Sequence, residues 1–181
     1  MASSLRTELL NVSFGPRMLL DKVSFSVDPG QCWGIVGPNG VGKSTLMKTL
    51  SGLVVPDSGK VVVTPSSSTV GYLSQEPDRQ VGEDVRAYLA RRTGVTAAST
   101  ALDAATMALA EGTDGADDVY SNALDTWLAL GGADLDARIG KTWADLELPE
   151  ALIDRQMTVL SGGEAARAGL AALILSRFDI Y

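Results

Sequence analysis

An α/β fold with a β-rich front and a helical back is what this chain of 181 residues predicts, and three features carry the reading. The pattern G-x-x-x-x-G-K-[ST] fills Gly37 to Thr45, between a strand-like apolar run and a helical one. Short runs with strand character lie on either side of it, as far as residue 75. From about Gly82 onward, apolar residues recur at helical spacing. The expected organisation is a single domain in three stretches: a β-rich core carrying the Gly-rich loop over 1–80, a helical subdomain over 81–159, and a closing helix with the start of a further strand over 160–181.

The elements follow in order. Leu9 to Phe14 and Lys22 to Val27 read as strands, the second alternating apolar and polar residues. After the turn Asp28-Pro29-Gly30, the run Cys32 to Val36 reads as a short buried strand, with Cys32 as a core residue. Thr45 to Leu50 is a helix with Leu46, Met47 and Leu50 on one side. Beyond a turn at Val55 to Gly59 come the strand Val61 to Val63, a loop at Thr64 to Ser68, and a strand at Val70 to Leu73. In the helical stretch, Val119, Tyr120, Ala123, Leu124, Trp127 and Leu128 form one stripe. Leu135, Ile139, Trp143 and Leu146 form another, with Gly131-Gly132 as the break between them. Ala97 to Ala110 is Ala-rich and weakly patterned, and is either a helix or a mobile segment. Ala165 to Arg177 is a helix with Leu170, Leu173 and Ile174 on one face.

Two stretches carry chemistry. In Gly37-Pro38-Asn39-Gly40-Val41-Gly42-Lys43-Ser44-Thr45 a strand turning tightly into a helix would gather backbone N–H groups at one spot, where polyphosphate charge is attracted. Lys43 is expected to reach the β- and γ-phosphates and the Ser44 hydroxyl to sit on Mg²⁺, which implies a bound nucleoside triphosphate. The second stretch is Leu160-Ser161-Gly162-Gly163-Glu164. Ser161 and Glu164 have capping-box spacing, a structural role in its own right. Two glycines in a first helical turn are costly, however, and suit close approach of an anion to the helix start.

A loop reading GPNGVGKST followed by LSGGE resembles the nucleotide-binding domain of ATP-binding-cassette (ABC) proteins. The resemblance runs along nearly the whole chain. It implies a P-loop α/β domain with an antiparallel β subdomain and a helical subdomain, binding ATP and Mg²⁺. Phe14 resembles the aromatic that stacks on adenine. Gln75, in Gly71-Tyr-Leu-Ser-Gln-Glu-Pro77, resembles the Q-loop glutamine that touches Mg²⁺ and the attacking water. The same resemblance makes Lys43 and Gln75 the residues of this chain expected to serve catalysis. Ser161, Gly162, Gly163 and Glu164 resemble the signature that closes over nucleotide held by a second cassette.

The family pattern continues with a strand ending in Asp-Glu (the Walker B pair) and a switch histidine. This chain contains no histidine, and Ser176 to Tyr181 resembles only the approach to that strand. Asp179 lies too early to be the Walker B residue and reads as a solvated residue before a strand. The expectation is therefore a domain incomplete at its C-terminus and inactive alone as an ATPase.

Spacing points to a subclass. Lys43 and Gln75 lie 32 positions apart, and Gln75 and Ser161 lie 86 apart. A short front and long helical middle resemble the first cassette of ABC-F proteins, twin-cassette ATPases that act on ribosomes in translation or antibiotic resistance. The alternatives are the motor subunit of a membrane transporter and a noncatalytic nucleotide-binding fragment. The partners implied are a second cassette and, for the full-length parent, the ribosome.

Composition agrees with a cytoplasmic location and no direct membrane insertion. The chain is 45% hydrophobic and 20% charged, and its apolar runs fall well short of the ~20 residues needed to span a bilayer. A net charge of −7 argues against nonspecific nucleic-acid binding, and Arg91-Arg92, the only adjacent basic pair, reads as solvated. One cysteine excludes an internal disulfide.

Overall fold

The strand β1 (Ser4–Phe14) turns through Gly15 and Pro16 into β2 (Arg17–Val27), and β3 (Ser58–Thr64) pairs with the other edge of β1. Both pairings are antiparallel, in the order β2-β1-β3. This computed structural model describes residues 3–181. The expected strands at Leu9 to Phe14, Lys22 to Val27 and Val61 to Val63 are present and longer than expected.

A bulge sits inside β1. Leu5 and Thr7 face inward on odd positions, whereas Leu10 and Val12 face inward on even ones. One extra residue at Leu9, at φ +48°, makes that change of phase and leaves Leu9 exposed, its N–H held by Ser24 Oγ at 2.8 Å. Across the pair, Gly59 has φ +81°, and a Cβ there would run into the carbonyl oxygens of Glu8 and Leu9. Only glycine lets β3 pass the bulge.

Leu10, Val12 and Leu20 bury against Leu46, with Val23, Phe25, Leu50, Val54 and Val61 around them. Leu46 belongs to α1 (Lys43–Leu50), so the sheet seats the helix that begins at the Gly-rich loop. These elements form one of two compact units, Met1–Tyr72 with Phe178–Tyr181.

Two expected strands are corrected. Cys32 to Val36 is irregular, and Cys32, Trp33 (54%) and Val36 (92%) are exposed. A strand needs neighbouring backbone to take its hydrogen bonds, and among the described residues none pairs with this run. Trp33 instead stacks on Phe25 at 5.6 Å. Val70 to Leu73 reduces to one parallel bridge, Val70 with Ile180.

The second unit, Leu73–Arg177, is helical. It contains α2 (Val85–Arg92), α3 (Val95–Ala110), α4 (Ala116–Ala129), α5 (Leu135–Asp145) and α6 (Gly162–Leu175). The Ala-rich segment is the helix α3. Tyr88, Leu89, Ile139, Trp143 and Met157 pack around α6, whose small residues Ala165, Ala168, Ala171 and Ala172 are all buried and admit its neighbours closely. The α5 stripe is buried as expected at Leu135, Ile139 and Trp143. The α4 stripe is not a uniform core face, because Val119 and Leu128 are exposed while Trp127 packs inward and donates to Ser99 Oγ at 3.0 Å. Arg91 is not merely solvated: its guanidinium bridges Glu83 and Asp78 and lies 5.6 Å above the Tyr88 ring. The Glu83 bond, opposed by partial desolvation, holds its pKa above the ordinary arginine value. Among the described residues no helix is long and apolar enough to cross a membrane.

Candidate functional site

In the first unit, Gly37 to Thr45 leads from the irregular run at 32–36 into α1. Gly42 is the N-cap, at φ +109°, and a Cβ on it would lie 3.0 Å from the Leu19 carbonyl oxygen. Leu46 donates to the Gly42 carbonyl at 2.8 Å, the first bond of the helix. Among the described residues, the N–H groups of Gly40, Val41, Gly42, Lys43, Ser44 and Thr45 donate to no protein acceptor. A row of free amides at a helix start is chemically complementary to an anion.

The Lys43 ammonium donates to the carbonyls of Gly37 at 2.7 Å and Pro38 at 2.8 Å. It lies within the loop and closes it like a staple. Ser44 is exposed, with its hydroxyl available for a cation shared with phosphate oxygens. Asn39 and Val41 are exposed on the same loop. On the outer side, Arg17 donates to the Gly40 carbonyl at 3.2 Å. Arg17 pairs with Phe14 across the β1–β2 turn, and Phe14 is 68% exposed, an aromatic face offered to solvent at the end of a strand. The residues present therefore fit a Mg²⁺-bound polyphosphate: free amide donors, one ammonium and one hydroxyl. Arg17 was missed by sequence reasoning; its only signal is its place three residues after Phe14.

In the second unit, Gln75 is exposed on the loop before α2. Arg79, further along that loop, donates to the Leu160 carbonyl at 3.1 Å, which fastens the loop to the residue preceding Ser161. The capping box is formed as its spacing predicts. Glu164 N–H donates to Ser161 Oγ at 3.3 Å, and Ser161 N–H donates to Glu164 Oε2 at 2.8 Å. The Ser161 hydroxyl, and then its amide, hold the Glu164 carboxyl below the usual carboxylate range. Gly162 and Gly163 have no need of glycine from the fold. Neither has positive φ, and a Cβ on either would meet no atom within 4 Å. Each costs the helix on the order of 1 kcal/mol relative to alanine. What the glycines leave is open space over a helix start.

Asp179 is exposed and stands just before the bridge residue Ile180, as expected, and it also acts as a latch within the first unit. Its Oδ2 accepts from Thr69 N–H at 2.8 Å and from Thr69 Oγ1 at 3.0 Å. The N–H groups of Asp179 and Ile180 both reach the Thr69 carbonyl at 3.1 Å. The Thr69 amide, and then its hydroxyl, hold the Asp179 carboxyl below its ordinary value. Because the folded pKa is depressed, the stabilisation is present above the unfolded value of about 3.9 and is lost as pH falls through the lower folded one. Acidification below about pH 3.9 is thus expected to speed hydrogen exchange at the Thr69 amide beyond the intrinsic pH dependence. Asp179→Asn should remove that excess.

The family described as "ABC transporter" matches residues 20–181. That span contains Gly37 to Thr45, Gln75 and Ser161 to Glu164, while Phe14 precedes it. The tylosin resistance ATP-binding protein TlrC of Streptomyces fradiae is 33% identical over 173 residues, covering 92% of this chain and 31% of the relative. The energy-dependent translational throttle protein EttA of Mycobacterium tuberculosis is 33% identical over 176 residues, covering 92% of this chain and 30% of the relative. The chain thus spans about a third of the length of these relatives. A solved ATP-binding subunit of an ABC transporter is 19% identical with a TM-score of 0.63, over 95% of this chain and 62% of that one, which shows a shared fold.

Proposed function

The chain belongs to the ABC transporter family of ATPase domains, and from that premise we propose that it is the nucleotide-binding half-site of a soluble, cytoplasmic twin-cassette ATPase of ABC-F type acting on the ribosome. The observation that carries the nucleotide reading is the run of free amides from Gly40 to Thr45 beside the Lys43 ammonium. When bound, MgATP supplies the phosphoanhydride whose cleavage drives the parent protein. The chain's own residues bind and orient it. The free amides of Gly40 to Thr45 would take the phosphates, Lys43 would exchange the Gly37 and Pro38 carbonyls for β- and γ-oxygens, Ser44 would ligate Mg²⁺, and Phe14 would stack on the base. Gln75, by its resemblance to the Q-loop glutamine, would contact Mg²⁺ and orient the attacking water.

Ser161, Gly162 and Gly163, with Glu164 completing their cap, serve nucleotide held by a second cassette. One triphosphate needs only one helix start, and the open space over these glycines suits a group arriving from another domain. The 181 residues contain no histidine and no Asp-Glu pair, so binding rather than turnover is what this chain supports alone. A positioned general base is worth about 10²–10⁴ in rate.

The ribosomal assignment leans on the relatives named for tylosin resistance and translational throttling. The second reading, the motor of a membrane transporter, is favoured by the description of the matching family, "ABC transporter". Sedimentation of the full-length parent with a nonhydrolysable ATP analogue separates the two. It is expected to pellet with purified ribosomes and not with membrane vesicles; the reverse result supports the transporter reading.

A further inference from the structure

Arg17 occupies the first position of β2, opposite Phe14, and its guanidinium is bonded to the Gly40 carbonyl at 3.2 Å. In a trans peptide the C=O and N–H point to opposite sides. A bond that holds the Gly40 carbonyl therefore also sets the direction of the Val41 N–H, one of the free donors of the loop. Gly40 has φ +78°, in the region where glycine leaves the backbone most freedom. A tether at a glycine removes more disorder than one at a residue that carries a side chain. Lys43 restrains the other half of the loop, at Gly37 and Pro38.

We propose that Arg17 is a positioning residue of the nucleotide site, its guanidinium fixing the Gly40–Val41 peptide for phosphate and tying the phosphate loop to the Phe14 end of the β1–β2 hairpin. The inference rests on the nucleotide reading of the loop. It divides the work between two cations. Lys43 is free to leave its carbonyls for phosphate oxygens because Arg17 keeps the loop in shape. Arg17 acts through the peptide it holds, on the side of Gly40 away from the Val41 amide.

The test is the affinity of the 181-residue chain for MgATP and for magnesium tripolyphosphate, which has phosphates but no base. Wild type is compared with Arg17→Met, Arg17→Lys and Phe14→Ala, alongside hydrogen exchange at Val41 without ligand. Loss of one exposed hydrogen bond should weaken binding about 3- to 10-fold. Arg17→Met is expected to weaken both ligands by that factor and to speed exchange at Val41, leaving Leu10 and Val12 in the sheet unchanged. Arg17→Lys, which keeps a donor, should recover most of the affinity, and Phe14→Ala should weaken MgATP alone. Wild-type affinity for both ligands in Arg17→Met would overturn the proposal, as would a loss confined to MgATP, which would mean that Arg17 serves only the hairpin. If wild type binds neither ligand, the nucleotide reading itself falls and this inference falls with it.

Discussion

Lys43→Ala is expected to weaken MgATP binding by about 10- to 100-fold, the loss of charge-assisted hydrogen bonds worth about 1.5–3 kcal/mol. In the structure the ammonium donates to the carbonyls of Gly37 and Pro38. Removing it also releases one restraint on the loop. The fold should survive, because α1 is seated by buried Leu46 and Thr49 and not by Lys43. Calorimetric titration with MgATP, paired with thermal unfolding, checks both halves. Unchanged affinity in a folded Lys43→Ala chain would mean that the loop does not hold the phosphates.

The larger effect is expected from Gly163→Asp in the full-length parent, and its logic depends on a surplus of space. A Cβ at residue 163 meets nothing, and an acidic side chain in a first helical turn is favourable toward the helix dipole. Gly163→Asp should therefore leave the stability of the isolated chain unchanged or slightly raised, and its MgATP affinity as before. In the parent, the new carboxylate would stand where the phosphates held by the other cassette approach the helix start. Adding like-charge repulsion beside the backbone donors at that point should lower ATP hydrolysis by about 10²-fold or more. Loss of MgATP affinity in the isolated chain would instead place the signature in cis.

What the sequence made legible was local. Ser161 and Glu164 are three residues apart, and their capping box forms as spaced. The phosphate-loop pattern sits at the start of α1, where a pattern of that kind belongs. The parts that escaped depend on residues far apart in the chain. The bulge at Leu9 requires Gly59 opposite it, 50 positions away, and no alternation within β1 announces it. Asp179 meets Thr69 across 110 positions. Arg17 meets the loop 23 residues on, through a single bond to a main-chain carbonyl, which no residue pattern encodes. Cys32 to Val36 has strand composition but no pairing partner among the described residues, so composition alone misplaced Cys32 in the core. On α4 the apolar stripe was read as a packing face although Val119 and Leu128 remain outside. Helical spacing marks a face without saying whether anything covers it.

The most direct measurement is amide hydrogen exchange of the 181-residue chain with and without saturating MgATP. The amides of Gly40 to Thr45 are free of protein acceptors, so exchange there is expected to be fast without ligand. If these residues cradle the phosphates, MgATP should slow them by at least about tenfold while α3 and α4 exchange as before. Exchange at Gly40 to Thr45 that is the same with and without saturating MgATP would contradict the account.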